Sequence, residues 1–260
     1  MNINVITAKG NPKIKELKEL TNKASARRSA GLFVCDGVRL CRDAVLSGKQ
    51  INSAFVTEKC IEKYSRDIED ILNSAENVYS VSGEIMHAVS DTVSPQGIIC
   101  TVRTEKCSFT PQKNKKYIAL DGIQNPDNLG AVIRTAEALG IDGIIISGGC
   151  DIYNPKALRA SMGSVFRMPV LLTDCLSERI KEYNEIGIKT YASVVSGNAQ
   201  SLTQTDFSNG AVVVIGNEGN GVSLEVQSVC DEKITIVMKG RAESLNAAQA
   251  SSIIMWEMTK

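Results

Sequence analysis

The sequence predicts an α/β fold, with a mostly parallel C-terminal sheet flanked by helices and a smaller α/β part before it. Three observations lead there. Short apolar strands alternate with helical patterns along the 260 residues, as βαβ units do. The run Ala211-Val-Val-Val-Ile215 is apolar without interruption, as in a sheet buried on both faces. The stretch from Arg103 to Lys116 lacks periodicity, holds Pro111 and clustered lysines, and reads as a linker.

In order along the chain, helical patterns run over 12–23, 38–47 and 58–73, and strands over 32–35, 51–56 and 97–102. Beyond the linker, strands are predicted at 117–120, 143–146, 168–171, 189–194, 211–215 and 233–237, separated by helical patterns. The division this suggests is one domain over 1–104, a linker over 105–116 and a second domain over 117–260. No fixed-period repeat or low-complexity tract is visible.

Composition excludes several kinds of chemistry. With His87 the single histidine, a zinc site or a Ser-His-Asp triad has almost no raw material, and no metal is expected. The eight cysteines (35, 41, 60, 100, 107, 150, 175 and 230) form no C-x-x-C pair and are expected as small buried apolar residues in a reducing compartment. No apolar run approaches the roughly 18 residues of a membrane span. Met1-Asn2-Ile3-Asn4 lacks the pattern of a signal peptide, so a cytoplasmic protein is expected. The net charge is zero, with 29 basic and 29 acidic residues, which by itself argues against nucleic acid as a partner. The distribution is uneven, however. Residues 1–50 carry ten lysines and arginines against four acids, either a solvated helix face or a patch that steers a phosphate-rich partner.

Ligands of open α/β sheets bind beyond the carboxyl ends of the strands. Three such ends are unusual here. The first is Asp121-Gly-Ile-Gln-Asn-Pro-Asp-Asn128-Leu-Gly130-Ala-Val-Ile-Arg134, where Pro126 and Asp127 suit a helix start. Asn128 and Arg134 lie roughly 120° apart on that helix, so both can reach one end of the sheet. An Asp-capped helix with a surface arginine would give the same pattern. The second is Gly216-Asn-Glu218-Gly219-Asn-Gly221, which has the wrong glycine order for a dinucleotide fingerprint and no P-loop lysine. A carboxylate there repels pyrophosphate; it suits hydroxyls, a positive centre or a structural polar contact. The third runs from Ile236-Val-Met238-Lys-Gly240 to Ser244-Leu245-Asn246, followed by a helix of small residues. Ser244 is expected either in the site or simply as that helix's N-cap.

Together these segments resemble the SpoU family of RNA ribose 2′-O-methyltransferases, within the knotted AdoMet-dependent methyltransferases. The family's N-x-G-x-x-x-R appears as Asn128 to Arg134, its G-x-E-G as Gly216 to Gly219, and its I-P-M-x-G and S-L-N as Ile236 to Gly240 and Ser244 to Asn246. Asn154-Pro-Lys-Ala-Leu-Arg159-Ala-Ser-Met-Gly163 is similar to the family's connecting helix. Leu32 to Leu40 and Ser90 to Ile98 resemble its small ribosomal-protein-like RNA-binding domain. Asp36 stands where relatives usually have glutamate, Val237 where they have proline and Ala247 where they have valine.

The resemblance implies a C-terminal trefoil knot, a homodimer, S-adenosyl-L-methionine as cofactor and RNA as substrate, rRNA before tRNA. It implies that Gly216, Ile236, Met238 and Leu245 line the cofactor. It places Arg134 beside the target 2′-hydroxyl, with Ser244 and Asn246 as positioning groups and Asn128 and Glu218 keeping the pocket polar near the subunit interface. A guanidinium does not give up its proton in a protein, so Arg134 is expected to clamp alkoxide and phosphate rather than act as a base. RNA contact would then be local: the basic first fifty residues, Lys113 to Lys116, and Arg134 with Arg159 near the site. Two other readings are a non-catalytic RNA-binding or ribosome-associated relative and a Rossmann-type oxidoreductase; the reversed glycine order disfavours the second.

Overall fold

The computed structural model describes residues 3–105 and 108–260. Met1 and Asn2, and Lys106 and Cys107 of the expected linker, lie outside the described residues. In chain order the elements are β1 (Ile3–Ile6), α1 (Pro12–Asn22), α2 (Ala24–Ala30), β2 (Leu32–Asp36), α3 (Val38–Leu46), β3 (Ile51–Val56), α4 (Glu58–Ser74), β4 (Ala75–Val81), α5 (Gly83–Val89) and β5 (Ile98–Arg103). Then follow β6 (Lys116–Asp121), α6 (Pro126–Leu139), β7 (Gly143–Ser147), α7 (Pro155–Ser161), β8 (Val170–Thr173), α8 (Leu176–Glu185), β9 (Lys189–Ser193), β10 (Gln200–Ser201), β11 (Ala211–Gly216), α9 (Leu224–Val229), β12 (Glu232–Thr235) and α10 (Ala247–Thr259).

The chain divides into two units. One contains residues 3–105 and Asp151–Phe166, the other residues 108–150 and Arg167–Lys260. Segment 151–166, which follows β7 in sequence, therefore belongs with the N-terminal residues.

The first unit holds a five-stranded sheet in the order β1-β4-β3-β5-β2. Antiparallel pairing of β5 with β2 and β3, and parallel pairing of β4 with β1 and β3, make it mixed. Ile14, Leu17 and Leu20 recur at helical spacing on α1 and bury that face in a cluster with Val34, Phe55 and Ile99. Segment 151–166 joins this unit through specific contacts. Arg27, 3% exposed, pairs with Asp151 at 2.7 Å and donates to the Leu20 carbonyl at 2.7 Å. Phe33 stacks on Tyr153 with centroids 4.5 Å apart.

The second unit holds seven strands in the order β10-β12-β9-β11-β6-β7-β8, and every pairing between them is parallel. The apolar strand β11 sits between β9 and β6 with all six residues buried. This is why its sequence shows no alternation: each face needs apolar side chains, and each buried Val or Ile contributes about 1.5–3 kcal/mol relative to exposure. Residues of the expected linker are packed rather than loose, since Phe109 stacks on Tyr117 at 5.4 Å and Gln112 N–H donates to the Tyr117 hydroxyl.

Some expectations shift. The strand expected at 168–171 is β8, starting at Val170, because Pro169 has no N–H to donate; its carbonyl accepts from Ile144 N–H instead. The strand expected to reach Val237 ends at Thr235. Strands β1, β4 and β10 and helix α2 were not anticipated. Asn125, not Asp127, caps α6: its side chain accepts from Asp127 N–H at 2.8 Å, with Pro126 at the first helical position. Of the seven described cysteines, 35, 41, 60 and 100 are buried as expected, whereas 150, 175 and 230 are partly exposed. No described helix is long and apolar enough to cross a membrane, and no described cluster of His, Cys, Asp and Glu could hold a metal ion.

Candidate active site

The site of the second unit is built from the loop after β11, the start of α6 and the segment after β12. Strand β11 ends on Gly216, where a Cβ would overlap the Gly221 carbonyl carbon and the Val222 nitrogen, so only glycine lets the loop fold back this tightly. The loop closes on itself. Asn217 and Gly221 exchange backbone hydrogen bonds at 3.0 and 2.9 Å, with Gly221 at φ +68°. The Asn217 side chain accepts from Gly219 N–H and donates to the Gly122 carbonyl, both at 2.8 Å, tying this loop to the one after β6.

Glu218 projects from the closed loop onto the start of α6. Its carboxylate accepts from the backbone N–H of Gln124 at 3.1 Å and of Asn125 at 3.2 Å, and from Asn128 Nδ2 at 2.8 Å. Partial burial by itself pushes this carboxyl up. The Asn128 amide and the surrounding backbone N–H groups outweigh it and hold the group below the usual carboxylate range.

An ionised carboxylate only accepts, so Asn128 must turn its Nδ2 toward Glu218 and its Oδ1 away. That Oδ1 accepts from Asn246 Nδ2 at 3.0 Å. The Asn246 Oδ1 is then left to cap α10, accepting from Ala248 N–H at 2.8 Å and Gln249 N–H at 3.4 Å. One donor-acceptor sequence thus runs from Glu218 through buried Asn128 to the start of the last helix. Asn246, not Ser244, is the N-cap.

Beside this network opens a cavity of about 550 Å³, within the usual range for a small-molecule or cofactor site. Its walls come from the ends of β9, β11 and β12, from the Gly216–Val222 turn and from the segment leading into α10. Gly216, Glu218, Ile236, Met238, Ser244 and Leu245, all singled out in the sequence, line it. Ser244 is exposed, and its hydroxyl has no hydrogen-bond partner among the described residues.

Asn128 and Asn246 do not line the cavity themselves: Asn128 bonds to Glu218, which does, and Asn246 stands between the lining residues Leu245 and Ala247. Arg134 lies about one and two-thirds turns beyond Asn128 on α6, exposed and without a partner among the described residues. The predicted 120° offset has put Asn128 in the protein and Arg134 in solvent. Arg159 belongs to the first unit, where it pairs with Asp91 at 2.8 Å. Sequence reasoning missed Asn217, the clamp of the turn, although it stands inside a motif. It also missed the stretch Ser193–Ser196 and Lys233, which line the cavity without any motif to mark them.

Comparison with known proteins divides the chain by sequence, with segment 151–166 inside the C-terminal match. A model of the SpoU rRNA methylase family matches residues 115–256. The chain belongs to the SpoU rRNA methylase family. A second model, of an MRM3-like substrate binding domain, matches residues 11–100 of this SpoU methylase. A Synechocystis protein described as an uncharacterized tRNA/rRNA methyltransferase is 30% identical over 254 residues, spanning 97% of this chain and 92% of its own. The 23S rRNA (guanosine(2553)-2′-O)-methyltransferase RlmP of Bacillus subtilis is 30% identical over 253 residues, 95% of this chain and 96% of that one. The crystal structure of an AdoMet-bound rRNA methyltransferase from Sinorhizobium meliloti matches with a TM-score of 0.86 and 27% identity, over 98% of this chain and 97% of that chain.

Proposed function

We propose that this SpoU methylase transfers a methyl group from S-adenosyl-L-methionine to a ribose 2′-hydroxyl of RNA, rRNA rather than tRNA. The observation that carries the reading is the cavity at the strand ends, where an ionised Glu218, apolar side chains such as Ile215, Ile236 and Met238, and polar groups including Ser193, Lys233 and Ser244 share the lining. Such a lining fits a ligand that is partly apolar and partly cationic. Gly216, Ile236, Met238 and Leu245 would hold the cofactor, and Glu218 favours positive charge beside it. Bound there, S-adenosyl-L-methionine supplies an electrophilic methyl carried on a sulfonium.

The remaining chemistry falls to the chain. Arg134 would hold the RNA phosphate, which helps to take the 2′-hydroxyl proton, and would stabilise the negative charge that develops on the attacking oxygen. Ser244 has a free hydroxyl on the cavity wall and orients the substrate or the end of the cofactor. Asn128 and Asn246 keep Glu218 and the start of α10 in register, which fixes the segment carrying Ser244. The polar groups of the three motifs are all present in the sequence, and Asn128, Glu218 and Asn246 are hydrogen-bonded in series, which favours catalysis over a purely RNA-binding role.

We further infer that the C-terminal unit is a trefoil knot. Its support is the path of the chain: β12 lies outside β9, yet the next helix, α10, packs against α6 and β11. A homodimer is part of the same reading, with Ile253 at 41% exposure and Trp256 at 59% giving α10 an apolar outer face. Residues 1–104 would form the RNA-binding part, 105–116 the linker and 117–260 the methyltransferase, in the cytoplasm. The deciding experiment supplies labelled S-adenosyl-L-methionine and RNA transcripts and then analyses the nucleosides. A labelled 2′-O-methylribose is expected; label on a base overturns the assignment.

A further inference from the structure

A second cavity, of about 190 Å³, lies wholly within the first unit, lined among others by Gly37, Leu40 and Met162 and by Arg39, Asp43 and Arg159. Two opposite charges face it without pairing to each other. Arg159 uses Nη2 on Asp91, but its Nη1 is buried and has no hydrogen-bond partner among the described residues. Asp43 is half-buried, and its carboxylate has neither a hydrogen bond nor an ion pair among the described residues. That carboxylate lies so close to Gly163, at φ +83°, that a Cβ there would overlap it. Next to this glycine Met162 is held at φ +52°, an uncommon conformation for a residue with a side chain. Arg39 stands exposed at the cavity with no ion pair among the described residues.

Leaving a buried donor and a half-buried acceptor unsatisfied in one hollow is costly unless a ligand meets both. A phosphate would satisfy Arg159 but would face Asp43, with Asp36 beside it. A cation would satisfy Asp43 and face Arg159. A planar base with an acceptor edge beside a donor edge satisfies both, and its faces suit Leu40 and Met162. Guanine fits best, because it presents N7 and O6 to an arginine and two adjacent donors, N1–H and N2–H, to a carboxylate.

We propose that this cavity binds a guanine base of the RNA substrate, read by Arg159 and Asp43, with Arg39 on the adjoining phosphate. The proposal rests on the reading of the chain as an RNA methyltransferase and adds a nucleotide contact in its substrate-binding part.

The test is direct binding of 5′-GMP, AMP, CMP, UMP and inorganic phosphate to the full chain, by calorimetry and saturation-transfer NMR. GMP is expected to bind at least about tenfold more tightly than AMP, and Asp43→Asn, which keeps the shape, to remove that preference. Arg39→Ala should weaken all four nucleotides alike. Equal binding of all four, inorganic phosphate as strong as GMP, a preference unchanged in Asp43→Asn, or no GMP binding would each overturn the proposal. Methyl transfer to RNA is scored separately. If it is absent while GMP binding behaves as expected, the enzymatic reading fails and the guanine pocket stands; if it is present without GMP binding, only the pocket fails.

Discussion

Asn128 donates from Nδ2 to Glu218 Oε1 at 2.8 Å, joining α6 to the turn after β11 across 90 positions of sequence. Replacing Asn128 by Asp would set two carboxylates against each other and remove the donor. Asn128→Asp should therefore lower stability by about 1–3 kcal/mol and weaken cofactor binding. Thermal unfolding and calorimetry measure the two effects, and an unchanged Tm would refute the assigned geometry.

The same carboxylate makes a prediction about acid. Its folded value lies below the unfolded one, near 4.5, so its contribution is fully present above that pH and is lost as pH falls through the folded value. Glu218→Gln should be less stable than the parent at neutral pH, and the gap should shrink as pH drops below about 4. Denaturant titrations at neutral and acid pH compare the two chains. A gap that widens in acid contradicts the direction of the shift.

Gly216→Ala places a methyl where the Gly221 and Val222 backbone already sits. Backbone cannot yield as a flexible side chain can, so the turn must open at a cost of about 1–3 kcal/mol. Cofactor affinity should fall with it, because the displaced residues line the cavity. A Gly216→Ala chain that binds the cofactor normally would show that the turn is softer than its hydrogen bonds imply.

Arg134 separates catalysis from folding. It is exposed and has no hydrogen-bond or ion-pair partner among the described residues, so Arg134→Ala should change stability by no more than about 0.5 kcal/mol. Methyl transfer to RNA should nevertheless drop by roughly 10²-fold or more, with cofactor binding kept. Arg134→Lys should recover part of the rate through its charge alone. A fully active alanine variant would remove Arg134 from the site.

Asp151 gives a test in the first unit. Its loss leaves the Arg27 guanidinium buried with only backbone carbonyls for company. Asp151→Ala should cost about 3–5 kcal/mol, and Arg27→Met combined with Asp151→Leu should recover most of it. If the double variant is no more stable than the single one, the penalty is not one of unpaired charge.

The alternation of strands and helices made the parallel sheet legible, and β11 announced its burial on both faces through composition alone. Edge strands were harder. β1 is only four residues long, Ile3-Asn-Val-Ile6, too short for a period to be read although three of the four are apolar. Caps were ambiguous for a different reason: Asp127 and Ser244 are good capping residues, yet Asn125 and Asn246 take those positions, the latter oriented by its bond to Asn128. Of the site, the residues in motifs that line the cavity were readable. That the segment of Arg159 joins the first unit was not legible, because a helical pattern says nothing about which core it packs on. The decisive contact for its segment, Arg27 with Asp151, spans 124 positions.

That long-range contact bears on the order in which the protein can be made. The chain leaves the first unit after residue 105, returns at 151 and leaves again after 166. Domains tend to fold one after another as they emerge from the ribosome. Here the first unit must wait: until some sixty further residues have been synthesised, Arg27 has no carboxylate and Phe33 no tyrosine to stack on. A nascent chain arrested before residue 151 should therefore expose that part of the first core, and protease sensitivity there should end only once Phe166 is free of the exit tunnel.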